Sequence, residues 1–314
     1  MAGKIDMDAL INSGKFEYYK HLFEKINAER AAVSDGLSPL QINGTHDAFL
    51  NASSDPKKGH IFLVQTQGFL PTHYNGGVQS GIDTGGQTFY VLNTAKALAK
   101  LGHKVTVLGQ RFGNLGPYLL WFQDPGGGVV EIVRLIPGGL KLDAAGHTVV
   151  GPSLTPKEEL YSKFRGMAED AAVIGFLRGA FGFVGGYTDG NIIGVSAAQA
   201  LDVGSIAITH SMGQKKALNE GFKLDDPFTY FGNWFNFGIR KQAEIAAILS
   251  ASRVIANAPD EAAAYKALYG VDDPGSVFYP PGVHRAFFTS NLLGGGYRAE
   301  IDTAKALIAQ NNLV

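Results

Sequence analysis

The sequence contains no cysteine, almost no net charge and no long apolar run. Without cysteine, its 314 residues can form neither a disulfide framework nor a thiolate metal site. A formal net charge of −1 argues against nucleic-acid binding, which usually requires a basic excess. No stretch reaches the ~18 uncharged apolar residues of a membrane span, and the first residues lack the apolar centre of a signal peptide. We therefore expect a cytoplasmic protein that binds neither nucleic acid nor a membrane.

Metal and cofactor motifs are missing as well. No group of His, Asp and Glu has the spacing of a metal site, and no G-x-S-x-G nucleophile elbow occurs. No G-x-G-x-x-G directly follows the first predicted strand, so the fingerprint of a dinucleotide-binding protein is absent from the sequence. We expect neither a metal nor a cofactor.

Apolar runs alternating with helical patterns dominate what is present. Hydrophobic residues make up 45% of the chain and charged residues 18%, which is typical of a protein with a large core. Strands are predicted at 60–66, 104–108, 129–136, 181–187, 205–209, 253–256 and 276–279. Helices are predicted at 87–101, 157–178, 192–200, 237–249 and 260–269. This alternation predicts an α/β fold with a doubly wound, mostly parallel Rossmann-like sheet.

The same patterns divide the chain into three parts. We predict a helical leader and linker at residues 1–58, a Rossmann-like domain at 59–290, and a linker with one helix at 291–314. The leader is predicted from apolar side chains at helical spacing, which are Phe16, Tyr19, Leu22, Phe23 and Ile26.

Ligands of such sheets bind at the carboxyl ends of the strands, so the first candidates follow the first strand. Gly85, Gly86 and Gln87 open the next predicted helix. The free N–H groups of a helix start favour oxygen-rich ligands, and a glutamine amide both donates and accepts hydrogen bonds. A plain loop before a helix is the alternative.

His210 directly follows a predicted strand and precedes Ser211 and Lys216. A histidine there can relay a proton or bind a hydroxyl, and a lysine can offer its charge to a phosphate. The alternative is a histidine that caps the next helix, followed by two solvated lysines, Lys215 and Lys216.

Other candidates also have two interpretations. Tyr187 and Asp189 occupy another strand end, where Asp189 is either a ligand or a helix N-cap. Arg240 either meets a ligand or forms an i,i+4 pair with Glu244. Lys157 opens a helix, where a solvated charged face is the simpler interpretation.

Several segments, in one order, resemble the motifs of a single enzyme group. They are DTGGQTFYVLNTAKAL at 83–98, TPKEELY at 155–161, GYTDGN at 186–191, THSMGQKK at 209–216, IRKQAEIAAILSASRVIANAPDEA at 239–262 and YPPG at 279–282. The first, for example, resembles "DTGGQ-x-x-YV", and the fourth resembles "GHSLG-x-x-K". From these motifs the chain resembles the sucrose-phosphate synthase and sucrose synthase branch of the retaining GT-B glycosyltransferases.

This resemblance implies a hexosyltransferase of two facing Rossmann-like domains, the first of which holds the acceptor sugar. It implies that Gly85, Gly86 and Gln87 line the acceptor pocket. It places His210 at the reaction centre, against the transferred sugar. The anomeric configuration would be retained without a protein nucleophile.

The resemblance also implies a set of contacts to fructose 6-phosphate. They are Lys157, Tyr187, Ser211, Lys216 and Arg240. A dianionic phosphate requires such a cluster of positive charge. Arg111, at the end of the second predicted strand, is a further candidate.

The acceptor and the donor stay open. Gln67-Gly68, Lys157 and Lys216 favour a sucrose-phosphate synthase, whereas GYTDGN is closer to sucrose synthases, whose acceptor is fructose. A non-catalytic sugar-phosphate-binding module is a third interpretation. Ile239 stands where the group often has the first of two arginines, and the loop at 70–82 is longer than usual. The domain for UDP-glucose or ADP-glucose is not in the sequence, so we expect the chain alone to bind an acceptor without turnover.

Overall fold

Strands and helices alternate along the chain much as the sequence predicts. The computed structural model describes residues 4–29, 58–68, 70, 85–111, 117–121, 129–142, 148–149, 157–210, 212–226, 237–257, 259–272 and 277–278. The strands are β1 (His60–Gln65), β2 (Lys104–Gln110), β3 (Tyr118–Trp121), β4 (Val130–Leu135), β5 (Lys141–Leu142), β6 (Thr148–Val149), β7 (Ala180–Gly186), β8 (Gly204–Ile208), β9 (Arg253–Ala256) and β10 (Val277–Phe278). The helices are α1 (Met7–Ile11), α2 (Gly14–Glu29), α3 (Gly85–Lys100), α4 (Lys157–Arg178), α5 (Tyr187–Leu201), α6 (Gly213–Asn219), α7 (Phe237–Ser250) and α8 (Pro259–Ala264), which continues as a π-helical turn (Tyr265–Tyr269).

Eight of the described strands form one sheet, in the order β10-β9-β8-β7-β1-β2-β4-β3. Neighbouring strands are parallel except for β3, which runs antiparallel to β4. From the central strand β1 the chain adds β2 and β4 on one side. It then returns to the other side of β1 at β7 and continues outward to β10. The winding direction therefore reverses between β1 and β7, and ligands of open α/β sheets bind in the crevice at such a reversal.

Alternate side chains of β1 enter two different cores. Phe62 and Val64 pack in the core that α4 and α5 cover, and Leu63 packs in the core that α3 covers. A strand that is apolar on both faces requires helices on both sides of the sheet. The prediction of a doubly wound, mostly parallel Rossmann-like fold is thus confirmed.

Some elements depart from the sequence prediction. β3 adds an antiparallel edge strand, and β5 pairs with β6 in a separate two-stranded ribbon. These strands have two to four residues, which is too few to show a periodic signal. Helix α5 begins at Tyr187 rather than at the predicted residue 192. The Thr-Asp-Gly-Asn sequence, which suggested a turn, forms the beginning of this helix.

The leader helices share the core of the sheet. Tyr19, Phe23 and Ile26 of α2 are buried in the core beside α4, and the Arg178 guanidinium carbon lies 3.9 Å from the centroid of the Phe23 ring. Residues 30–57 and 281–314, which hold the rest of the predicted leader and the predicted carboxyl-terminal helix, lie outside the described residues. None of the helices in the described ranges combines the length and the apolar character that crossing a membrane requires.

Asp170 joins the leader to α4 in a way that should depend on pH. The carboxylate is fully buried, lies 3.1 Å from Lys15 Nζ and accepts the Leu140 N–H at 2.6 Å. Burial raises the pKa of Asp170 from 3.8 to about 6, and Lys15 opposes that shift. The folded chain therefore holds this proton more tightly than the unfolded chain does. The resulting stabilisation is complete below about pH 4 and is lost as the pH rises to about 6.

We expect Asp170→Asn to remove this pH dependence. Relative to the variant, the unchanged chain should lose roughly 3 kcal/mol of unfolding free energy as the pH rises through this interval. Urea unfolding of both proteins at several pH values measures the difference.

Glu169→Gln provides the matched control at the neighbouring position. Burial raises the pKa of Glu169, but the hydrogen bonds and charges of Lys15 and Arg165 together lower it overall. Its stabilisation is thus lost as the pH falls, and the two variants should change the pH dependence in opposite directions. Parallel curves for Asp170→Asn and the unchanged chain would contradict the expectation.

Candidate functional site

Four residues from different elements meet where the winding of the sheet reverses. Gln65 ends β1, and its buried amide nitrogen donates to the Gln67 carbonyl at 2.6 Å and lies 3.4 Å from Oε1 of Gln87 on α3. A Cβ at Gly186, the last residue of β7, would lie 3.1 Å from Gln65 Oε1 and 3.8 Å from His210 Cδ2. We call Gln65, Gln87, Gly186 and His210 the switch-point cluster. It lies at the edge where the topology predicts a ligand.

Two glycines let α5 start directly against β1. A Cβ at Gly190 would lie 2.2 Å from the carbonyl oxygen of Val64, and one at Gly185 would lie 2.5 Å from the Cα of Asn191. Neither position has room for a side chain, so the helix and the strand ends approach each other closely. The N-cap of α5 is Gly186, which offers no side-chain cap to the first N–H groups. The uncapped start of α5 therefore lies at the switch-point cluster.

Tyr187 has a strained backbone at the first position of α5. Its φ of 63° lies in the left-handed region, which is unfavourable for a bulky side chain. The buried phenol oxygen accepts a hydrogen bond from Arg240 Nη1 at 2.7 Å. Burial raises the pKa of Tyr187, and the charges of Arg240 and Lys216 oppose the shift. Strain of about 1–3 kcal/mol is retained only where the surroundings impose it, and it concentrates at functional sites.

The buried Arg240 is paired with Glu244. Its Nε donates to Glu244 Oε1 at 2.8 Å, and the arginine is only 1% exposed. Glu244 also accepts hydrogen bonds from the Gly213 N–H, at 3.1 Å, and from the hydroxyls of Thr188 and Tyr269. One carboxylate therefore connects α5, α6, α7 and the π-helical turn. The i,i+4 pair, which is the simpler sequence interpretation of Arg240, is present in the structure.

His210 follows β8 in surroundings that favour its neutral form. Asn191 fixes the end of the strand, because its side chain donates to the Ile208 carbonyl at 3.0 Å and accepts the Ile208 N–H at 3.1 Å. Tyr90 packs against the imidazole edge-on, with ring centroids 4.7 Å apart. Nδ1 is hydrogen-bonded to the side-chain nitrogen of Asn257, and Nε2 is buried without a partner among the described residues. Burial lowers the pKa of His210 to about 4.

The space behind His210 is nearly filled. The cavity bordered by Asn191, His210, Glu244 and Tyr269 measures about 10 Å³. That volume accommodates a single water molecule. No ligand larger than a water molecule fits in this cavity.

Five of the predicted site residues lie near one another, and they belong to α3, α5, α6, α7 and the segment after β8. Gln87 and His210 belong to the switch-point cluster, and Tyr187 directly follows it. Arg240 contacts Tyr187, and Lys216 on α6 is close enough to influence the pKa of that tyrosine. The edge of one sheet thus assembles residues spread over more than 150 positions of the sequence.

The remaining predicted site residues are only partly described. Gly85 and Gly86 are the first two residues of α3, and Lys157 is the first residue of α4. The Lys157 side chain, Ser211 and the YPPG segment at 279–282 lie outside the described residues.

The structure also decides between some of the alternatives. Asp189 is not the N-cap of α5, since Gly186 is, and its side chain is buried within the first turn. His210 does not cap the following helix, whose N-cap is Met212.

The two other charged candidates have partners away from the switch-point cluster. Lys215 forms an ion pair with the exposed Asp260. Arg111 lies near the leader, where burial raises the pKa of Tyr18 and the Arg111 charge opposes the rise.

Sequence reasoning missed several residues of this site. Gln65 and Asn257 each stand at or just after the end of a strand, so the rule that selected His210 could have selected them too. Tyr90, Asn191 and Glu244 act through contacts between elements distant in the chain. Spacing in the sequence indicates the i,i+4 contact of Glu244 with Arg240 and none of these longer-range contacts.

Comparison with known proteins identifies relatives of this chain. No family model matches it. The mannosylfructose-phosphate synthase of Agrobacterium fabrum is 28% identical over 226 residues, which cover 71% of this chain and 45% of the relative. The sucrose synthase of Melioribacter roseus is 23% identical over 304 residues, which cover 86% of this chain and 36% of the relative. The chain thus spans less than half the length of the curated relatives it matches.

A solved structure supports the same assignment at the level of the fold. The sucrose-phosphate synthase of Thermosynechococcus elongatus superimposes with a TM-score of 0.53 at 19% identity, covering 72% of this chain and 49% of that one. Together with the curated relatives, it confirms the resemblance to sucrose-phosphate synthase-like GT-B glycosyltransferases that the motifs predict.

Proposed function

We propose that residues 59–290 form the acceptor-binding domain of a retaining hexosyltransferase. It would transfer glucose from UDP-glucose or ADP-glucose to fructose 6-phosphate, a step of sucrose biosynthesis. A second domain, outside this sequence and joined through residues 291–314, would bind the sugar nucleotide. The chain alone would then bind the acceptor without turnover. Relatives named as sucrose and mannosylfructose-phosphate synthases support sugar transfer.

The switch-point cluster is the observation that supports this function most directly. Gln65 connects Gln87 with the edge where Gly186 and His210 lie, and the strained Tyr187 follows at once. Amide and imidazole groups are suited to sugar hydroxyls, since each can donate and accept hydrogen bonds. Burial keeps His210 neutral at physiological pH, and Asn257 occupies only Nδ1, so Nε2 remains for a hydrogen bond to a sugar oxygen.

The proposed chemistry needs no nucleophile from the protein. The acceptor hydroxyl would attack the anomeric carbon from the face that the nucleotide leaves, as the bond to the nucleotide phosphate breaks. The hydroxyl proton would pass to the departing phosphate, and the configuration would be retained. His210 would orient the transferred sugar, and the protein would contribute positioning and charge stabilisation.

The phosphate of the acceptor would be bound by the positive charge beside this cluster. Lys216 lies on α6, near enough to Tyr187 for its charge to oppose the rise in the pKa of that tyrosine, and it would contact the phosphate. Lys157 and Ser211 would complete the phosphate contacts, and Gly85 and Gly86 would line the pocket. Arg240, buried against Tyr187, would act by holding that tyrosine in place.

A neutral acceptor such as fructose is the second candidate, and the Arg240–Glu244 pair favours it. The guanidinium is 1% exposed, and the Glu244 carboxylate 2.8 Å away balances its charge. Arg240 therefore offers less attraction to a phosphate than an unpaired arginine would. A sucrose synthase among the relatives is consistent with this candidate.

Calorimetry on the purified chain, with fructose 6-phosphate and fructose titrated separately, tests the proposal. We expect fructose 6-phosphate to bind more tightly, because a charge-assisted hydrogen bond to phosphate stabilises that complex alone. Lys216→Ala should weaken fructose 6-phosphate binding on the order of tenfold to a hundredfold and leave fructose binding unchanged.

Lys215→Ala is the matched control, since Lys215 is the neighbouring lysine on α6 and pairs with Asp260. It should leave both affinities unchanged. If the two sugars bind with equal affinity, and Lys216→Ala changes neither affinity, the neutral acceptor is favoured. Failure of both sugars to bind would contradict the proposed function.

A further inference from the structure

Asn257 and His210 meet through a nitrogen–nitrogen contact. The side-chain nitrogen of Asn257 is hydrogen-bonded to Nδ1 of the imidazole, and this asparagine directly follows β9. Its own backbone is anchored, because the Asn257 N–H donates to Glu261 Oε2 at 2.8 Å. Glu261 Oε2 lies in turn 3.4 Å from the hydroxyl of Thr209, the residue before His210. The two partners are therefore held by a second connection beside the direct one.

The orientation of the Asn257 amide determines where the imidazole proton resides. Its Nδ2 faces Nδ1 of His210, and its Oδ1 is buried without a hydrogen-bond partner among the described residues. An amide nitrogen can only donate, so Nδ1 has to accept and cannot carry a proton. In a neutral imidazole the proton then lies on Nε2. The edge-on packing of Tyr90 and the near-complete burial of His210 disfavour the doubly protonated, charged ring.

The Nε2–H produced in this way has no acceptor among the described residues. The atom is buried, and an unsatisfied buried donor is costly unless a ligand or water meets it. The ring carbon bonded to Nε2, Cδ2, faces the switch-point cluster, 3.8 Å from the place that a Cβ of Gly186 would occupy. A sugar hydroxyl or ring oxygen is the kind of acceptor that fits such a donor.

We propose that Asn257 is a positioning residue that holds His210 as the Nε2–H tautomer, so that the imidazole presents a hydrogen-bond donor to a sugar oxygen. The use of that donor rests on the proposed function, whereas the tautomer rests on the orientation of the Asn257 amide toward Nδ1. Asn257 itself need not touch the sugar.

Nitrogen NMR of the whole chain, labelled with ¹⁵N, tests the tautomer without any activity. Comparison with His210→Gln assigns the ring signals. We expect Nδ1 of His210 to resonate as an unprotonated nitrogen and Nε2 as a protonated one. We also expect a scalar coupling between Asn257 Nδ2 and His210 Nδ1 across the hydrogen bond.

Asn257→Asp should move the proton, because a carboxylate can only accept and would bind a protonated Nδ1. Nδ1 should therefore shift to the protonated range in this variant. Asn219→Asp, the same substitution at an exposed position on α6, should leave the His210 signals unchanged. Circular dichroism establishes that each variant is folded.

The outcomes separate this inference from the proposed function. A protonated Nδ1 in the unchanged chain, or an unprotonated Nδ1 in folded Asn257→Asp, would overturn the tautomer assignment. If Asn257→Asp does not fold, the scalar coupling between Asn257 Nδ2 and His210 Nδ1 in the unchanged chain tests the tautomer by itself, and its absence would overturn the assignment. Absence of sugar binding in the calorimetry would overturn the function and leave the NMR result standing.

Discussion

Replacing Glu244 by alanine is expected to lower the unfolding free energy of the chain by about 3–5 kcal/mol. The Arg240 guanidinium would stay buried, at 1% exposure, without the carboxylate that now lies 2.8 Å from its Nε. The Gly213 N–H and the hydroxyls of Thr188 and Tyr269 would lose their acceptor at the same time. An uncompensated buried charge is among the most destabilising single changes a protein can suffer. Urea unfolding measures the loss.

A double substitution tests whether the charge causes the effect. Combining Arg240→Met with Glu244→Leu removes both charges and keeps apolar volume, so this variant should be more stable than Glu244→Ala. Asp260→Ala is the control. It breaks the ion pair between Asp260 and Lys215, and because both side chains are exposed, the unfolding free energy should stay unchanged. A Glu244→Ala protein as stable as Asp260→Ala would show that the four-element connection through Glu244 does not stabilise the fold.

Replacing Gly190 by alanine should destabilise the chain by about 1–3 kcal/mol or more. The new methyl carbon would lie 2.2 Å from the carbonyl oxygen of Val64 and 3.1 Å from its carbonyl carbon. These atoms belong to the backbone of β1, which pairs with β2 and β7 and cannot yield as a side chain would. The start of α5 would have to move away from the strand instead. Urea unfolding gives the free energy.

Gly204→Ala is the control for this substitution. Gly204 opens β8, and a Cβ there has no heavy atom within 4 Å among the surroundings. The unfolding free energy of the Gly204→Ala protein should stay the same or rise slightly, since alanine reduces the conformational entropy of the unfolded chain. Because Tyr187 lies in the same helix start, Gly190→Ala should also weaken sugar binding in the calorimetry. An equally small effect of both substitutions would mean that α5 does not depend on this close approach.

The positions of the main strands could be predicted because their signal is local. The apolar run at 60–66 is a strand almost to the residue, and His60–Gln65 is buried on both faces as the run implies. The start of α5 could not be predicted in the same way. Gly190 and Asn191 are typical of turns, but they are helical here, and the glycine is needed because the helix packs against the Val64 carbonyl.

The residues of the candidate site also differ in whether a local signal in the sequence indicates them. His210 and Gln87 were accessible to prediction, because they stand at strand and helix ends where a parallel sheet binds ligands. Asn257 and Glu244 were not identified as site residues. Asn257 contacts His210, which is 47 residues away in the sequence. Glu244 contacts Thr188, Gly213 and Tyr269, which are 25 to 56 residues away.

By itself, the sequence determined the doubly wound fold, the residue types at the sheet edge and the order of the motifs that resemble those of sucrose-phosphate synthases. Periodicity and residue type act over a few neighbouring residues, so they can be recognised without coordinates. Only the tertiary structure decided that Arg240 is neutralised by Glu244, that Tyr187 is strained, and that Asn257 meets Nδ1 of His210. Those properties depend on burial and on contacts between distant segments, and these exist only once the chain has folded.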